Sequence, residues 1–351
     1  MKKVIASYKI DGVENSSLNE LIEYLNKTYT FSVDTETCPD RNMITGQRVT
    51  MLQIGDVWNQ FAIDVRTIDI TPLKVFFESR KWKKVLHNAK FDYQVIKESF
   101  GWTTENVWDT MLGEYIRYTG LTQKKGFYSL EETLARYTDA RPYGNQLNLF
   151  NPWIPKSART EIGKLDKFDL PAISYGMKDI EVTYEVFLYQ HKYLAEQELL
   201  KVAHLENKFV LVLADIELAG MPINVDRWIE LEEWAKEKAD ALLNELRIQH
   251  PEVENWNSHV QVKKLFKSLG ISVYYQGKES IQEIVVRGQA NKFPIIDLYL
   301  KYKGMSKLVS TYGISFLKHL NPVTDRIHTS FIQILNTGRT SSTKPKHVGP
   351  A

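Results

Sequence analysis

Asp34 and Glu36 lie two residues apart in the short β-type run Phe31-Ser-Val-Asp-Thr-Glu. Side chains alternate along a strand, so both carboxylates point to one face and share one spot. Like charges that close repel unless a cation stands between them, and the pair therefore either raises a pKa or holds a hard metal ion. Taken alone, such a pair is more often a solvated strand edge. Asp92 comes next, in His87-Asn-Ala-Lys-Phe-Asp92, where a β-type run gives way to a helical pattern marked by Phe91, Val95 and Ile96. A carboxylate in a first helical turn already has a sufficient role in complementing the helix dipole. Tyr175 and Asp179 are spaced i, i+4 in a long helical stretch, which stacks phenol and carboxylate on one face. His87 reads as a satisfied histidine at a strand end, and Cys38 is given no role.

The elements that must position these groups are strands first and helices later. Val49-Thr-Met-Leu-Gln-Ile and Gln60-Phe-Ala-Ile follow the Asp34 run closely enough for a meander, and Lys84-Val-Leu-His gives a further strand. A capping box, Ser129 to Glu132, opens one helix, and Pro171 sits at the tolerated first turn of a long amphipathic helix reaching Tyr193 or beyond. Between them, Asp139 to Lys164 is rich in Pro, Gly and Asn and reads as a loop within one domain. Residues 200–320 are mostly helical, broken at Gly220-Met-Pro, His250-Pro251, Gly270 and Pro294, and the run from Arg326 to Leu335 alternates like a strand.

A chain of 351 residues with 43% hydrophobic and 25% charged content suffices for two ordinary domains. It has no run of 18 apolar residues, and the apolar stretch after Met1 is too short for a signal peptide, so a cytosolic protein without membrane partners is expected. The single cysteine excludes an intrachain disulfide and a cysteine-based zinc cluster, leaving carboxylates or histidines to hold any metal. Charge is divided unevenly. From Trp256 onward there are 14 Lys and Arg against 4 Asp and Glu, and 31 against 39 in the remainder. One part suits a polyanion and the other suits cations, although a solvated Lys-rich surface would give the same count.

Taken together, D-T-E at Asp34–Glu36, N-x-K-F-D ending at Asp92 and Y-x-x-x-D from Tyr175 to Asp179 resemble the three motifs of the DEDD exonuclease superfamily in its tyrosine subclass. The phrases Val49-Thr-Met-Leu-Gln-Ile-Gly and Trp108-Asp-Thr-Met support the likeness. The resemblance implies an RNase H-like α/β fold with a mixed sheet, and phosphodiester hydrolysis with two divalent ions, Mg²⁺ or Mn²⁺. It makes Asp34 the bridge between the ions, Glu36 and Asp179 holders of the one that activates water, Asp92 the partner of the second, and Tyr175 the group that orients the water.

The second half resembles family A DNA polymerases. The phrases Ala214 to Asp226, Asn255 to Phe266, Lys303-Gly-Met-Ser-Lys307 with Leu-Val-Ser-Thr-Tyr312, Arg326 to Phe331 and Thr337-Gly-Arg-Thr-Ser-Ser follow in the family's order. By this likeness residues 1–195 form the exonuclease domain, 196–320 a mainly helical thumb-like region that holds DNA, and 321–351 a short β arm at the start of a palm. Lys303, Lys307, Arg339, Ser341 and Ser342 are the expected contacts to primer-template DNA. The likeness breaks at Lys346, and no His-Asp dipeptide occurs, so the chain is expected not to synthesise DNA alone and to need a separate palm and fingers. The expected activity is trimming of DNA 3′ ends in proofreading, in a compact phage-like replication protein. An RNA 3′ exonuclease of ribonuclease D type and a non-catalytic DNA-binding half of a split polymerase stay open beside it.

Overall fold

A computed structural model of the chain describes residues 2–121, 126–137 and 159–343. Its first unit is built on a seven-stranded sheet: β1 (Lys2–Ile5), β2 (Glu14–Asn15), β3 (Thr30–Pro39), β4 (Gln47–Gly55), β5 (Gln60–Asp64), β6 (Lys83–Leu86) and β7 (Val107–Asp109). The order across the sheet is β2-β1-β5-β4-β3-β6-β7. β3, β4 and β5 form the antiparallel meander, while β1 beside β5 and β6 beside β3 are parallel neighbours. β4 lies in the middle and is buried from Val49 to Gly55, which explains its nearly continuous apolar run.

Both faces of the sheet are covered. On one, Leu21 and Leu25 of α1 (Leu18–Lys27), Phe76 and Phe77 of α2 (Lys74–Glu78) and Ile96 of α3 (Ala89–Phe100) pack with Phe31, Val33, Leu52 and Ile54. Next along the chain come α4 (Thr110–Tyr118) and α5 (Leu130–Tyr137), the latter with Ser129 Oγ accepting from the Glu132 amide at 3.4 Å. The opposite face takes α6 (Leu170–Glu196), whose Ala172, Ile173 and Met177 pack on Val4, Met51 and Ala62. Asp169 caps it by accepting from the Ala172 amide at 2.9 Å, with Pro171 in the first turn. Most of the Asp139–Lys164 loop lies outside the described residues; its end, Ile162–Lys164, is a 3-10 turn.

The chain forms two compact units: residues 1–221 and 321–351 make one and Pro222–Leu320 the other. α7 (Leu200–Ala219) belongs with the first because it packs on α3 and is tied to it by Tyr93 and Lys97 on Asp215, and by Lys90 and Gln94 on Glu217. The arm follows, since the Phe331 amide donates to the same Glu217 at 2.6 Å. No continuous strand runs from Arg326 to Leu335. Arg326 donates to the Gly220 carbonyl at 3.2 Å, Phe331–Ile332 pairs with Ser341–Ser342, and between them buried His328 bonds the Glu217 carbonyl at 2.7 Å.

The second unit contains α8 (Val225–Gln249), α9 (His259–Ser268) and α10 (Pro294–Tyr312). Side-chain caps at Asn224 and Ser258 and Pro294 in a first turn put the helix starts where the sequence breaks. Leu246, Val253, Trp256, Phe266, Ile296 and Tyr299 form its core.

Candidate active site

Asp34 and Glu36 sit in mid-β3, opposite Gln53 and Met51 of β4, and the pairing slips by a residue after Glu36. That bulge releases the strand from its ladder beside the two carboxylates, a common device where a side chain must be re-aimed. Thr35 points to the other face, and its hydroxyl donates to the buried Asp92 carboxylate at 2.6 Å. Asp92 lies in the first turn of α3, whose N-cap, Asn88, is left-handed at φ 65°. Asp109 makes this entry affordable: it accepts from the amides of Asn88 (3.0 Å), Ala89 (2.8 Å) and Met111 (2.8 Å), so one carboxylate caps α3 and α4 together.

From the opposite face, α6 brings Tyr175 and Asp179. A Cβ on Gly176 would stand 2.4 Å from Gln53 Nε2, so a larger residue here would have to push the Gln53 side chain aside. Gln53 is the register partner of Asp34, and the close approach therefore sets the Tyr175 turn over the Asp34 strand.

The electrostatics show how near the groups come. Burial raises the Asp34 carboxyl to about 7. Burial is also the main cause of the rise at Glu36, with the fields of Asp34, Asp179 and Asp92 added to it. Asp92 and Asp179 are raised by burial and then by Asp34. Tyr175 is pushed up by burial and by Asp179, Glu36 and Asp34, which keeps it a neutral phenol. All five groups singled out from the sequence thus lie within one electrostatic neighbourhood.

Among the described residues no group of three or more His, Cys, Asp or Glu side chains stands in metal-ligand geometry. The donor chemistry does suit a hard divalent cation: the set is all oxygen, and its members repel one another through their mutual fields. His87 is outside this set. Its Nδ1 lies 2.8 Å from Thr110 Oγ1, and burial lowers its pKa to about 4, as for a histidine held neutral at a strand end.

Sequence reasoning passed over Thr35, Asp109 and Arg159. Thr35 was only the spacer of D-T-E, while Trp108-Asp-Thr-Met was noticed as a phrase whose Asp had no stated task. Arg159 pairs with Glu131 at 2.7 Å and lies with its guanidinium carbon 5.3 Å from the centroid of the Tyr175 ring. No periodicity could have marked it.

The basic residues expected on DNA fall in both units. Lys303 and Lys307, one turn apart on α10, line an open cavity of about 520 Å³ with Asn257, His259 and Ser310, and Lys303 donates to Asn257 Oδ1 at 3.2 Å. Arg339 is exposed in the turn before Ser341–Ser342, which pair with Phe331–Ile332 in the first unit.

A profile described as 3′-5′ exonuclease matches residues 13–195, and one described as DNA polymerase family A matches residues 226–346. DNA polymerase I of Borreliella burgdorferi is 27% identical over 345 residues, which cover 93% of this chain and 36% of that protein. The DNA polymerase of Escherichia phage T5 is 26% identical over 298 residues, covering 77% and 34%. Among solved structures, the POL domain of Pol1 from M. smegmatis, in complex with DNA primer-template and dNTP, shares the fold with a TM-score of 0.68 at 18% identity, over 97% of this chain and 55% of that one. The chain spans about a third of the length of these two polymerases. The match over residues 13–195 places the fold in the nuclease class, hydrolases of phosphodiester bonds. The chain belongs to the 3′-5′ exonuclease family, in the form carried by family A DNA polymerases. No helix among the described residues is long and apolar enough to cross a membrane.

Proposed function

We propose that the chain removes nucleotides from DNA 3′ ends as the proofreading part of a family A polymerase, with two Mg²⁺ or Mn²⁺ ions. The observation that carries this reading is the mutual field of Asp34, Glu36, Asp92 and Asp179, two half-buried carboxylates on one strand and two buried ones on two helices. Asp34 would contact both ions, Glu36 and Asp179 the one on the side of the attacking water, and Asp92 the other through its water shell. When bound, such a pair of ions offsets the charge of the phosphate and of the attacking and leaving oxygens. Tyr175 keeps its proton at neutral pH, so it orients the water by hydrogen bonding and does not act as its base.

DNA is favoured over RNA by the polymerase match across residues 226–346 and by relatives that are DNA polymerases. Lys303 and Lys307 in one unit, and Arg339, Ser341 and Ser342 in the other, would contact primer-template phosphates. The site of action is the cytosol, where such a duplex is replicated.

The test is trimming of matched DNA and RNA oligonucleotides labelled at the 5′ end. With Mg²⁺ the DNA should shorten stepwise from its 3′ end, faster than the RNA, and EDTA should stop it. Loss from the 5′ end, full activity in EDTA, or faster RNA trimming would each sink the reading.

A further inference from the structure

Arg159 is a cation placed beside a group of anions, yet it is not spent on them. Its Nη1 is committed to Glu131 Oε1 at 2.7 Å, outside the carboxylate group. The guanidinium flanks the Tyr175 ring, and its charge lowers Asp179. The Nε–H, however, is buried and has no hydrogen-bond partner among the described residues, in a side chain that is only 20% exposed. A buried donor without an acceptor is a cost that folded proteins rarely keep unless something else supplies the acceptor. A guanidinium is a planar fork of five donors that matches carboxylate and phosphate oxygens, and here one nitrogen is anchored while another waits.

The acceptor must arrive next to Tyr175 and Asp179, must be anionic enough to enter among carboxylates, and must be absent from the resting chain. A phosphodiester oxygen meets all three conditions. We propose that Arg159 is a substrate-binding residue whose guanidinium turns on its Glu131 tether to present the Nε–H to a nonbridging oxygen of the 3′-terminal phosphodiester. This rests on the nuclease reading above and adds to it a residue outside the carboxylate motifs. The same cation lessens the repulsion that an anionic strand meets on approaching the acidic group.

The experiment measures single-stranded DNA binding by the full chain in EDTA, where no trimming occurs. One oligonucleotide carries an ordinary 3′-terminal phosphodiester and the other a neutral methylphosphonate at that linkage. Wild type should prefer the diester about tenfold, and Arg159→Met should lose about that factor on the diester while binding the methylphosphonate like wild type. The slope of log affinity against log salt should fall by about 0.7 in Arg159→Met and be restored in Arg159→Lys, which keeps the charge but loses the fork. Glu131→Gln leaves the guanidinium in place and should retain the diester preference. Wild type that trims DNA with Mg²⁺ but binds both oligonucleotides as Arg159→Met does would overturn the assignment alone. So would Glu131→Gln reproducing Arg159→Met, because Arg159 would then be no more than half of a tether. Wild type that neither trims DNA nor prefers the diester overturns this assignment and the nuclease reading together.

Discussion

The Thr35 hydroxyl donates to the Asp92 carboxylate at 2.6 Å, joining the middle residue of one motif to the acidic residue of the next from the strand face opposite Asp34 and Glu36. Without this bond Asp92 keeps its burial but loses a fixed orientation. Thr35→Val, nearly isosteric, should cost about 1–2 kcal/mol in stability, slow trimming on the order of tenfold and raise the Mg²⁺ concentration for half activity. Thr35→Ser should restore all three. A Mg²⁺ titration of trimming rate decides it: wild-type behaviour of the Val variant would make the bond incidental.

Asp34→Ala should separate activity from stability. If Asp34 contacts both ions, its loss removes several kcal/mol of charge stabilisation and should slow trimming about a thousandfold or more. Its folded pKa is raised, so its contribution to stability is present at low pH and is lost as pH rises through about 7. In EDTA the variant should therefore melt level with wild type below about pH 4 and above it near pH 8, while Mg²⁺ should raise its Tm less. A lower Tm at pH 8 with trimming retained would identify Asp34 as a structural carboxylate.

His87 gives the opposite pH dependence. Its folded pKa is lowered to about 4, so the folded state resists protonation; the stabilisation is complete above about pH 6.5 and lost as pH falls toward 4. Between those limits wild type should lose on the order of 1–3 kcal/mol that His87→Gln does not lose. Chemical denaturation of both proteins at pH 7 and 4.5 isolates the difference, and parallel losses would mean that His87 titrates normally.

Gly163→Ala should damage the site without touching a carboxylate. The new Cβ would lie 2.0 Å from the Thr37 carbonyl oxygen, which is backbone and cannot rotate aside. Thr50 Oγ1 holds the Gly163 and Glu36 carbonyls at 3.0 and 3.2 Å, so displacement of one strains the other. Overpacking of this kind costs about 1–3 kcal/mol, and trimming should fall further than the loss of folded protein explains. An unchanged Tm together with unchanged trimming would show that the segment moves away freely.

How much of this could be read from residue order depends on distance along the chain. The alternation that puts Asp34 and Glu36 on one face, the i, i+4 stacking of Tyr175 and Asp179, the meander of β3 to β5, and the helix starts at Ser129, Pro171 and Pro294 are set by contacts within four residues or one turn. The strand expected from Arg326 to Leu335 was read by the same rule and failed, because the buried bonds of His328 and the Phe331 amide to Glu217 outweighed a weak local pattern. For the same reason the sequence is silent on which unit α7 joins: it is helical by its own sequence, but Asp215 and Glu217 tie it to α3.

By itself, then, the sequence determined which residues are fitted for chemistry and which element each stands on, because side-chain direction follows from backbone periodicity. Only the tertiary structure decided that Asp34, Glu36, Asp92 and Asp179 share one field, that Thr35 and Asp109 hold α3 in place, and that Arg159 flanks Tyr175. Apart from the Asp34–Glu36 pair, those relations join residues from 16 to more than 140 positions apart. They exist because the sheet order places β4 beside β3 and lets α3 and α6 close on it from opposite faces, with Gly176 where α6 meets the Gln53 side chain.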